Sequence, residues 1–99
     1  MSAAETISTK VKENEVMVFS KSHCPFCRKA IQILQEAFGQ GTVTVLQMES
    51  RADCGDLQDE LLKVTGGRTV PRVFIKGKFV GGCDEVVDLS RSGKLKTLV

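Results

Sequence analysis

The apolar and polar positions of this chain follow two rhythms, one typical of buried strands and one typical of helices. Val16 to Phe19 is an apolar run with no polar interruption, which predicts a strand covered on both faces. From Pro25 to Phe38 the apolar positions recur at helical spacing, which predicts an amphipathic helix with one buried stripe. The stripe is formed by Cys27, Ala30, Ile31, Leu34 and Phe38. A strand that leads directly into a helix is therefore the first predicted unit.

Similar patterns place the other elements. Ser2 and Glu5 form a capping-box pattern ahead of a short first helix. Gly39 and Gly41 supply the positive φ common past a helix end, and Gly66-Gly67 stop a later helix. The predicted elements are a helix over 3–13, a strand over 16–20, a helix over 25–38, a strand over 42–46, a helix marked by Leu57, Leu61 and Val64, a strand over 72–75, a turn at Gly77-Lys78, a returning strand over 79–80, and a last helix that carries Val86, Val87 and Leu89 and ends at Gly93. The order αβαβαββα predicts a single α/β domain over residues 1–99, with a central mixed sheet and helices on both faces.

The length and charge of the chain exclude several classes of function. Its 99 residues suit one small domain, and a formal net charge of +2 with scattered basic residues does not favour nucleic acid as a partner. The longest apolar run has four residues, so we expect no membrane association. Met1 to Glu5 lack the basic and apolar regions of a signal peptide, so we expect a reducing, cytoplasmic location, with a trimmed longer precursor as the alternative. No apolar surface stretch requires a partner subunit, so we expect a monomer.

Cys24-Pro25-Phe26-Cys27 lies where the first strand gives way to the helix. Unpaired backbone N–H groups give a helix N-terminus partial positive charge, which stabilises a thiolate and lowers its pKa. Pro25 suits the first helical position because its missing N–H would have no partner there. We expect Cys24 to cap the helix and stay accessible, and Cys27 to lie on the buried stripe. This asymmetry suits an attacking thiol and a resolving thiol.

Metal binding is the other chemistry open to such a cysteine pair. A zinc site requires two further ligands at comparable spacing. The chain offers Cys54, Cys83 and the single His23, and none of these is paired. We therefore predict a redox pair and no metal site. His23 is interpreted as an exposed turn residue, with an influence on the Cys24 thiolate as the alternative.

Three motifs in combination resemble those of a dithiol glutaredoxin on the thioredoxin fold. They are Cys24-Pro25-Phe26-Cys27 after the first strand, Thr69-Val70-Pro71, and Gly81-Gly82-Cys83-Asp84. The resemblance runs from about Val16 to the C-terminus. It implies a four-stranded mixed sheet and a glutathione-dependent thiol–disulfide oxidoreductase. Glutathione, a related thiol or a glutathione conjugate would be the co-substrate, with no tightly bound cofactor. The family usually has Tyr where this chain has Phe26, which removes a hydroxyl but keeps the ring.

The resemblance assigns catalytic roles to the two cysteines of the first motif. Cys24 would be the nucleophile that attacks a disulfide sulfur and forms a mixed-disulfide intermediate. Cys27 would resolve mixed disulfides with protein substrates, after which glutathione would restore the dithiol. Disulfide-containing proteins would then be reduced with both cysteines, and glutathionylated proteins with Cys24 alone.

The other two motifs are implied to bind glutathione. Pro71 would be cis and would place the Val70 backbone opposite the nucleophile, with Thr69 beside it. The Val70 N–H and C=O would pair with the peptide backbone of glutathione like a short added strand. The backbone N–H groups of Cys83 and Asp84 suit a carboxylate, and the Asp84 side chain suits the γ-glutamyl amine.

Two residues outside these motifs complete the implied binding set. Lys21 and Gln58 would meet the glycine carboxylate of glutathione. Asp84 has a second interpretation, as the N-cap of the last helix, and both roles can hold together. Glutathione is an anion at neutral pH, which suits the basic residues expected beside the groove. These are Lys21, Arg28, Lys29, Arg68 and Arg72.

Two other functions remain as alternatives. An iron–sulfur cluster held between two subunits through Cys24 and glutathione would suit thiolate ligands, but Pro25 stiffens the turn and Cys27 competes for the nucleophile. A thioredoxin-like protein with a separate reductase usually carries Gly-Pro between its cysteines and a Trp before them, and this chain has no Trp.

Cys83 is interpreted as a small, at least half-buried residue near the site. The family does not require Cys54, which is interpreted as inert, with oxidative regulation as the alternative.

Overall fold

The order of helices and strands is the predicted one. The computed structural model describes the whole chain, residues 1–99. Its elements are α1 (Ala3–Glu13), β1 (Val16–Ser20), α2 (Pro25–Phe38), β2 (Val43–Gln47), α3 (Cys54–Thr65), β3 (Arg72–Ile75), β4 (Lys78–Gly81), α4 (Cys83–Arg91) and a short 3₁₀ helix (Leu95–Leu98). No helix combines the length and the apolar character needed to cross a bilayer.

The four strands form one mixed sheet in the order β2-β1-β3-β4. β1 runs parallel to β2, with Val16 opposite Val43, because α2 carries the chain back across the sheet between them. β1 is antiparallel to β3, and β3 is antiparallel to β4. The predicted α/β architecture is therefore confirmed.

Alternating residues of β1 divide the core into two layers. Val16 and Val18 point to the side of the sheet covered by α2 and α4, where they pack in a buried cluster with Leu34. Met17 and Phe19 point to the other side, in a cluster covered by α1 and α3. Every residue of β1 is buried, as its unbroken apolar run predicts.

Element boundaries differ from the predictions by a residue or two. β2 begins at Val43 instead of Thr42. The hairpin turn lies at Lys76-Gly77, with φ of 50° and 82°, one residue before the predicted turn, because Lys78 already pairs with Ile75 in the ladder. Gly41 does not adopt a positive φ, since Gly39 alone ends α2 with a φ of 86°. The sequence pattern does not predict the 3₁₀ helix, because its four residues are too few to show a periodic pattern.

Candidate active site

Cys24 is the N-cap of α2, and Pro25 occupies the first helical position, as predicted. The Cys27 backbone N–H donates a hydrogen bond to Cys24 Sγ over 3.4 Å, so the sulfur accepts at the positive end of the helix. Cys24 is half-buried, whereas Cys27 is fully buried. The predicted pair of one accessible and one sheltered thiol is present.

The surroundings of Cys24 favour its thiolate. Burial acts to raise the pKa of the thiol, but hydrogen bonds from Cys27 and from the Phe26 backbone, together with the charge of Arg28, outweigh burial and lower that pKa. A lowered pKa increases the fraction of the nucleophilic form at neutral pH. Cys24 is therefore suited to attack a disulfide.

The surroundings of Cys27 favour its protonated form. Burial raises the pKa of this thiol, and the neighbouring Cys24 raises it further. The Lys21 backbone and the Ser20 hydroxyl act in the opposite direction and favour the ionised sulfur. Cys27 thus remains a thiol while Cys24 carries the negative charge, and its ionisation becomes easier once Cys24 is bonded in a disulfide.

A groove of about 400 Å³ includes Phe26, the residue before Cys27 in the chain, whereas neither Cys24 nor Cys27 lines it. It is lined by Phe26, by the segment Thr69–Arg72 and by the segment Gly82–Glu85. Residues of all three sequence motifs therefore line one groove, although the first motif precedes the other two by more than forty residues. Phe26 is 63% exposed, so its ring stands at the rim of the groove and is available for contact.

The segment that crosses the groove opposite Cys24 has the predicted form. The Val70–Pro71 peptide bond is cis. The Val70 carbonyl oxygen lies 4.0 Å from Cys24 Sγ, a long contact that places this backbone directly beside the nucleophile. A ligand bound to Cys24 would thus run along the backbone of this segment.

Arg72 holds this segment from the side. Its Nε donates to the Thr69 carbonyl and its Nη2 to Thr69 Oγ1, each over 2.8 Å. The guanidinium carbon also lies 5.4 Å from the ring centroid of Phe79. Gly67 makes room for the guanidinium, since a Cβ there would overlap Arg72 Nη2.

The start of α4 forms the opposite wall of the groove. Gly82 is the N-cap, and its N–H donates to Glu85 Oε1 over 2.6 Å. Asp84 lies inside the first turn of the helix, so its interpretation as the N-cap is wrong. Asp84 lines the groove, as does the buried Cys83. Gly82 lies close to the other side of the groove, since a Cβ there would make a tight contact of 3.2 Å with the Pro71 carbonyl oxygen.

Lys21 and Gln58 are not among the groove-lining residues. The Lys21 carbonyl accepts from the Cys24 N–H over 3.1 Å, which places Lys21 at the turn before the nucleophile. Gln58 Nε2 donates to the Arg68 carbonyl over 3.0 Å, and Cys54 Sγ lies 3.6 Å from Gln58 Oε1. Glycine-carboxylate binding by Lys21 and Gln58 stays a prediction.

The basic residues expected around the groove have different surroundings. Arg72 lines it. Arg68 instead forms an ion pair with Asp59, with 2.9 Å between Nε and Oδ1, and its Nη2 reaches the Gly55 carbonyl. The positive charge of Arg68 is therefore partly neutralised by α3.

Several residues near the site lie outside the roles that the sequence motifs predict. The Glu85 side chain caps α4 by accepting from the Gly82 N–H. The three-residue spacing of this capping box is visible in the sequence, but Asp84 offers a competing N-cap. Glu49 accepts hydrogen bonds from the Ser22 N–H and hydroxyl, and so ties the loop before Cys24 to the loop after β2. The apolar run predicts only that Ser20 ends a strand, and gives no sign that its hydroxyl is buried without a partner. The contact between Ser22 and Glu49 joins residues 27 positions apart, so it leaves no local pattern.

Comparison with known proteins gives consistent similarities. The family model described as Glutaredoxin matches residues 16–80. Glutaredoxin-C8 from Oryza sativa subsp. japonica is 39% identical over 98 residues, which cover 99% of this chain and 72% of that relative. The crystal structure of oxidized glutaredoxin 2 from Chlamydomonas reinhardtii superposes with a TM-score of 0.91 at 45% identity, over 97% of this chain and 89% of that one. The structure of a buckwheat glutaredoxin–glutathione complex superposes with a TM-score of 0.90 at 34% identity, over 97% and 86%. These superpositions confirm the predicted thioredoxin fold.

Proposed function

We infer that this chain, which belongs to the glutaredoxin family, is a glutathione-dependent thiol–disulfide oxidoreductase. The observation that carries this conclusion is the Cys24 sulfur, which accepts the Cys27 N–H at the start of α2 and faces the Val70 carbonyl of the groove. Glutathione is its co-substrate, as it is the ligand of the similar buckwheat protein. The following steps are those that we propose for this chain.

Glutathionylated proteins are reduced with Cys24 alone. The Cys24 thiolate attacks the glutathione sulfur of the mixed disulfide, and the protein leaves as a thiolate that takes up a proton. A second glutathione thiolate then attacks the glutathione sulfur bound to Cys24. Oxidised glutathione leaves, and the Cys24 thiolate is restored. The lowered pKa of Cys24 assists both steps, because it increases the thiolate fraction that attacks in the first step and makes Cys24 a good leaving group in the second.

Protein disulfides are reduced with both cysteines. Cys24 attacks one sulfur of the substrate and forms a mixed disulfide, with the other substrate sulfur released as a thiolate. Cys27 then loses its proton and attacks Cys24 Sγ, which releases the second substrate thiolate and leaves a Cys24–Cys27 disulfide. Two glutathione molecules reduce that disulfide and leave as oxidised glutathione.

The groove orients glutathione for these reactions. The Val70 backbone pairs with the glutathione peptide beside Thr69 and Pro71. The start of α4, with Cys83 and Asp84, faces the γ-glutamyl end, where backbone N–H groups suit a carboxylate and the Asp84 carboxylate suits the amine. What supports this arrangement is that all five of these residues line one groove.

A coupled assay tests the reaction. Reduced glutathione and a small glutathionyl mixed disulfide are supplied to the wild type, Cys24→Ser and Cys27→Ser, and formation of oxidised glutathione is followed. We expect loss of turnover in Cys24→Ser, because the attacking sulfur is absent. Turnover should persist in Cys27→Ser, because this reaction does not need the resolving thiol.

Three results would contradict the proposal. Turnover retained by Cys24→Ser would show that another thiol is the nucleophile. A colourless wild type without turnover would favour a thioredoxin-like protein with another reductant. A brown protein whose visible absorbance disappears on oxidation would instead favour the cluster-binding alternative.

The partners and the location of the protein are also proposals. Disulfide-containing and glutathionylated proteins are the substrates that the two branches require. A monomer suits a groove that is built within one chain, and a cytoplasmic location suits chemistry that needs reduced thiols. Size-exclusion chromatography with light scattering and cell fractionation test these two proposals.

A further inference from the structure

Ser20 ends β1 with a buried hydroxyl that has no hydrogen-bond partner. The residue is fully buried, and Ser20 Oγ is the buried side-chain oxygen for which the structure provides no donor or acceptor. Leaving a buried hydroxyl unpaired is unfavourable, so such a group in a folded protein requires an explanation. The reaction described above does not use it.

The strand geometry places this hydroxyl against the reactive helix. Val16 and Val18 pack on the α2 side of the sheet, and side chains of a strand alternate between faces, so Ser20 points to the same side. The buried stripe of α2 on that side begins with Cys27. Only the short loop 21–24 separates β1 from α2, which brings the end of the strand level with the first helical turn.

Cys27, which begins that buried stripe, changes its hydrogen-bonding character during the reaction. As a thiol, Cys27 is a weak acceptor. As a thiolate, it is a strong acceptor that needs a donor in this dry surrounding. The Lys21 backbone and the Ser20 hydroxyl are the groups that favour the ionised Cys27 against its burial and against the charge of Cys24.

We propose that Ser20 is a catalytic residue of the dithiol reaction, whose hydroxyl donates a hydrogen bond to Cys27 Sγ as this sulfur becomes a thiolate and attacks Cys24. The inference rests on the proposed function, and it concerns only the resolving step. The balance of that step is unchanged: Cys27 gives its proton to solvent, the new bond joins Cys27 and Cys24, and the thiol bound to Cys24 leaves with its electron pair. Ser20 keeps its own proton throughout.

The resolving step can be isolated with 5,5′-dithiobis(2-nitrobenzoate) in a Cys54→Ser background, which removes a half-buried thiol that would add to the signal. Cys24 attacks this reagent and releases one coloured thiolate. Cys27 then displaces a second coloured thiolate from Cys24, and stopped-flow absorbance records this second release across a range of pH. The measurement needs no glutathione.

In Ser20→Ala we expect the midpoint of the second release to move up by about one pH unit, because a hydrogen bond to a charged group is lost. At pH 7 the thiolate fraction falls about tenfold, but the more basic thiolate is more nucleophilic, so the rate falls about threefold. Above the midpoint Ser20→Ala should be faster than the wild type. Ser20→Thr retains the hydroxyl and should keep the midpoint of the wild type.

Three controls separate this role from a structural one. Ser20→Ala should unfold at the same temperature as the wild type or higher, because an unpaired buried hydroxyl is removed. Thr6→Val removes a buried hydroxyl that is already bonded, to the Ser2 carbonyl over 3.0 Å, and should leave the second release unchanged. Glutathione turnover by Cys27→Ser should not change when Ser20→Ala is added.

The outcomes distinguish failure of the proposed dithiol reaction from failure of the proposed role of Ser20. If Cys27→Ser shows the second release, the dithiol branch itself is wrong. If the wild type shows it and Ser20→Ala has the same midpoint, the dithiol branch stands and the role of Ser20 is overturned. An altered rate of the first release in Ser20→Ala would also overturn it, because the hydroxyl would then act on Cys24.

Discussion

At the scale of single residues, the two cysteines differ because one helix presents them to different surroundings. Cys24 accepts a backbone N–H at the helix start, whereas Cys27 sits one turn later against the sheet. Folding lowers the pKa of the first thiol and raises the pKa of the second. The two cysteines therefore provide an attacking thiol and a resolving thiol.

We predict that Cys24 is alkylated as a thiolate at a lower pH than an ordinary cysteine. In the Cys27→Ser/Cys54→Ser double variant, the rate of reaction with iodoacetamide should rise with a midpoint below about 8.5, the pKa of a free cysteine. Mass spectrometry of the Cys24 peptide measures this rate. His23→Ala should leave the midpoint unchanged if His23 is only an exposed turn residue.

The same pKa difference has a consequence for stability. A thiol whose pKa is lower in the folded state stabilises the fold fully above its unfolded pKa, and this contribution is lost as the pH falls through the folded pKa. The unfolding free energies of Cys27→Ser and Cys24→Ser/Cys27→Ser should thus diverge from acidic to alkaline pH. Parallel pH profiles for the two variants would show that folding leaves the pKa of Cys24 unaltered.

At the scale of elements, the segment Thr69–Pro71 depends on its neighbours. The Arg72 side chain fixes Thr69 through two hydrogen bonds, and Gly82 approaches the Pro71 carbonyl closely enough that any Cβ would crowd it. The segment has no hydrogen-bonding ladder of its own before β3 begins at Arg72. Its geometry is therefore imposed by the Arg72 side chain and by the start of α4.

We predict that Arg72 acts on glutathione binding by holding Thr69 in place. Arg72→Met should raise the KM for the glutathionyl substrate about fivefold with little change in kcat, since about 1 kcal/mol of net hydrogen bonding is lost. Gly67→Ala should have a similar effect, because its methyl group displaces the guanidinium while the charge remains. Steady-state kinetics of both variants measure this change.

Two further variants test this explanation. Gly67→Ala/Arg72→Met should be no worse than Arg72→Met, because the two changes act through one contact. Arg91→Met removes an exposed charge at the end of α4 and should leave KM unchanged. If Gly67→Ala has the KM of the wild type, the positive charge of Arg72 is what matters and not its position.

At the scale of the whole molecule, the sheet separates two apolar layers that support different parts of the chain. The layer with Leu34 holds α2 and α4, which carry the cysteines and one wall of the groove. The layer with Leu61 holds α1 and α3 against the other face. Phe19 and Phe74 pack edge to face within this second layer, with ring centroids 5.7 Å apart.

We predict that the two layers contribute independently to stability. Leu34→Ala and Leu61→Ala should each lower the free energy of unfolding by about 2–5 kcal/mol, because each leaves a cavity among fully buried side chains. The double variant should show the sum within about 0.5 kcal/mol, since the sheet lies between the two sites. Urea denaturation followed by circular dichroism measures these values.

A neighbouring leucine provides the matched control. Leu62 follows Leu61 on α3 but is 45% exposed, so Leu62→Ala should cost much less than Leu61→Ala. Equal losses at the two positions would contradict the assignment of the buried face of α3. A double variant far from additive would show that the two layers are coupled through the sheet.

Local patterns account for the elements that the sequence predicted. The apolar run of β1, the buried stripe of α2 and the capping pattern at Ser2 each depend on spacings within a few residues, and each lies where it was expected. The order of elements then restricts the topology, because a strand, a helix and a parallel strand connect with one hand. The thiol pair and its helix N-terminus were readable for the same reason.

Which polar side chains contact each other was decided only by the tertiary structure, even where the partners lie a few residues apart along the chain. Gly82, not Asp84, caps α4, because Glu85 reaches back to the Gly82 N–H. The pairing of Arg68 with Asp59 and the clamp of Arg72 on Thr69 depend on side-chain directions that no periodicity encodes. The unpaired Ser20 hydroxyl is the clearest case, since a serine at a strand end is ordinary until the folded chain buries its hydroxyl without a partner. Sequence determined which groups are available, and packing determined which of them meet, because burial removes the water that would otherwise satisfy each group alone.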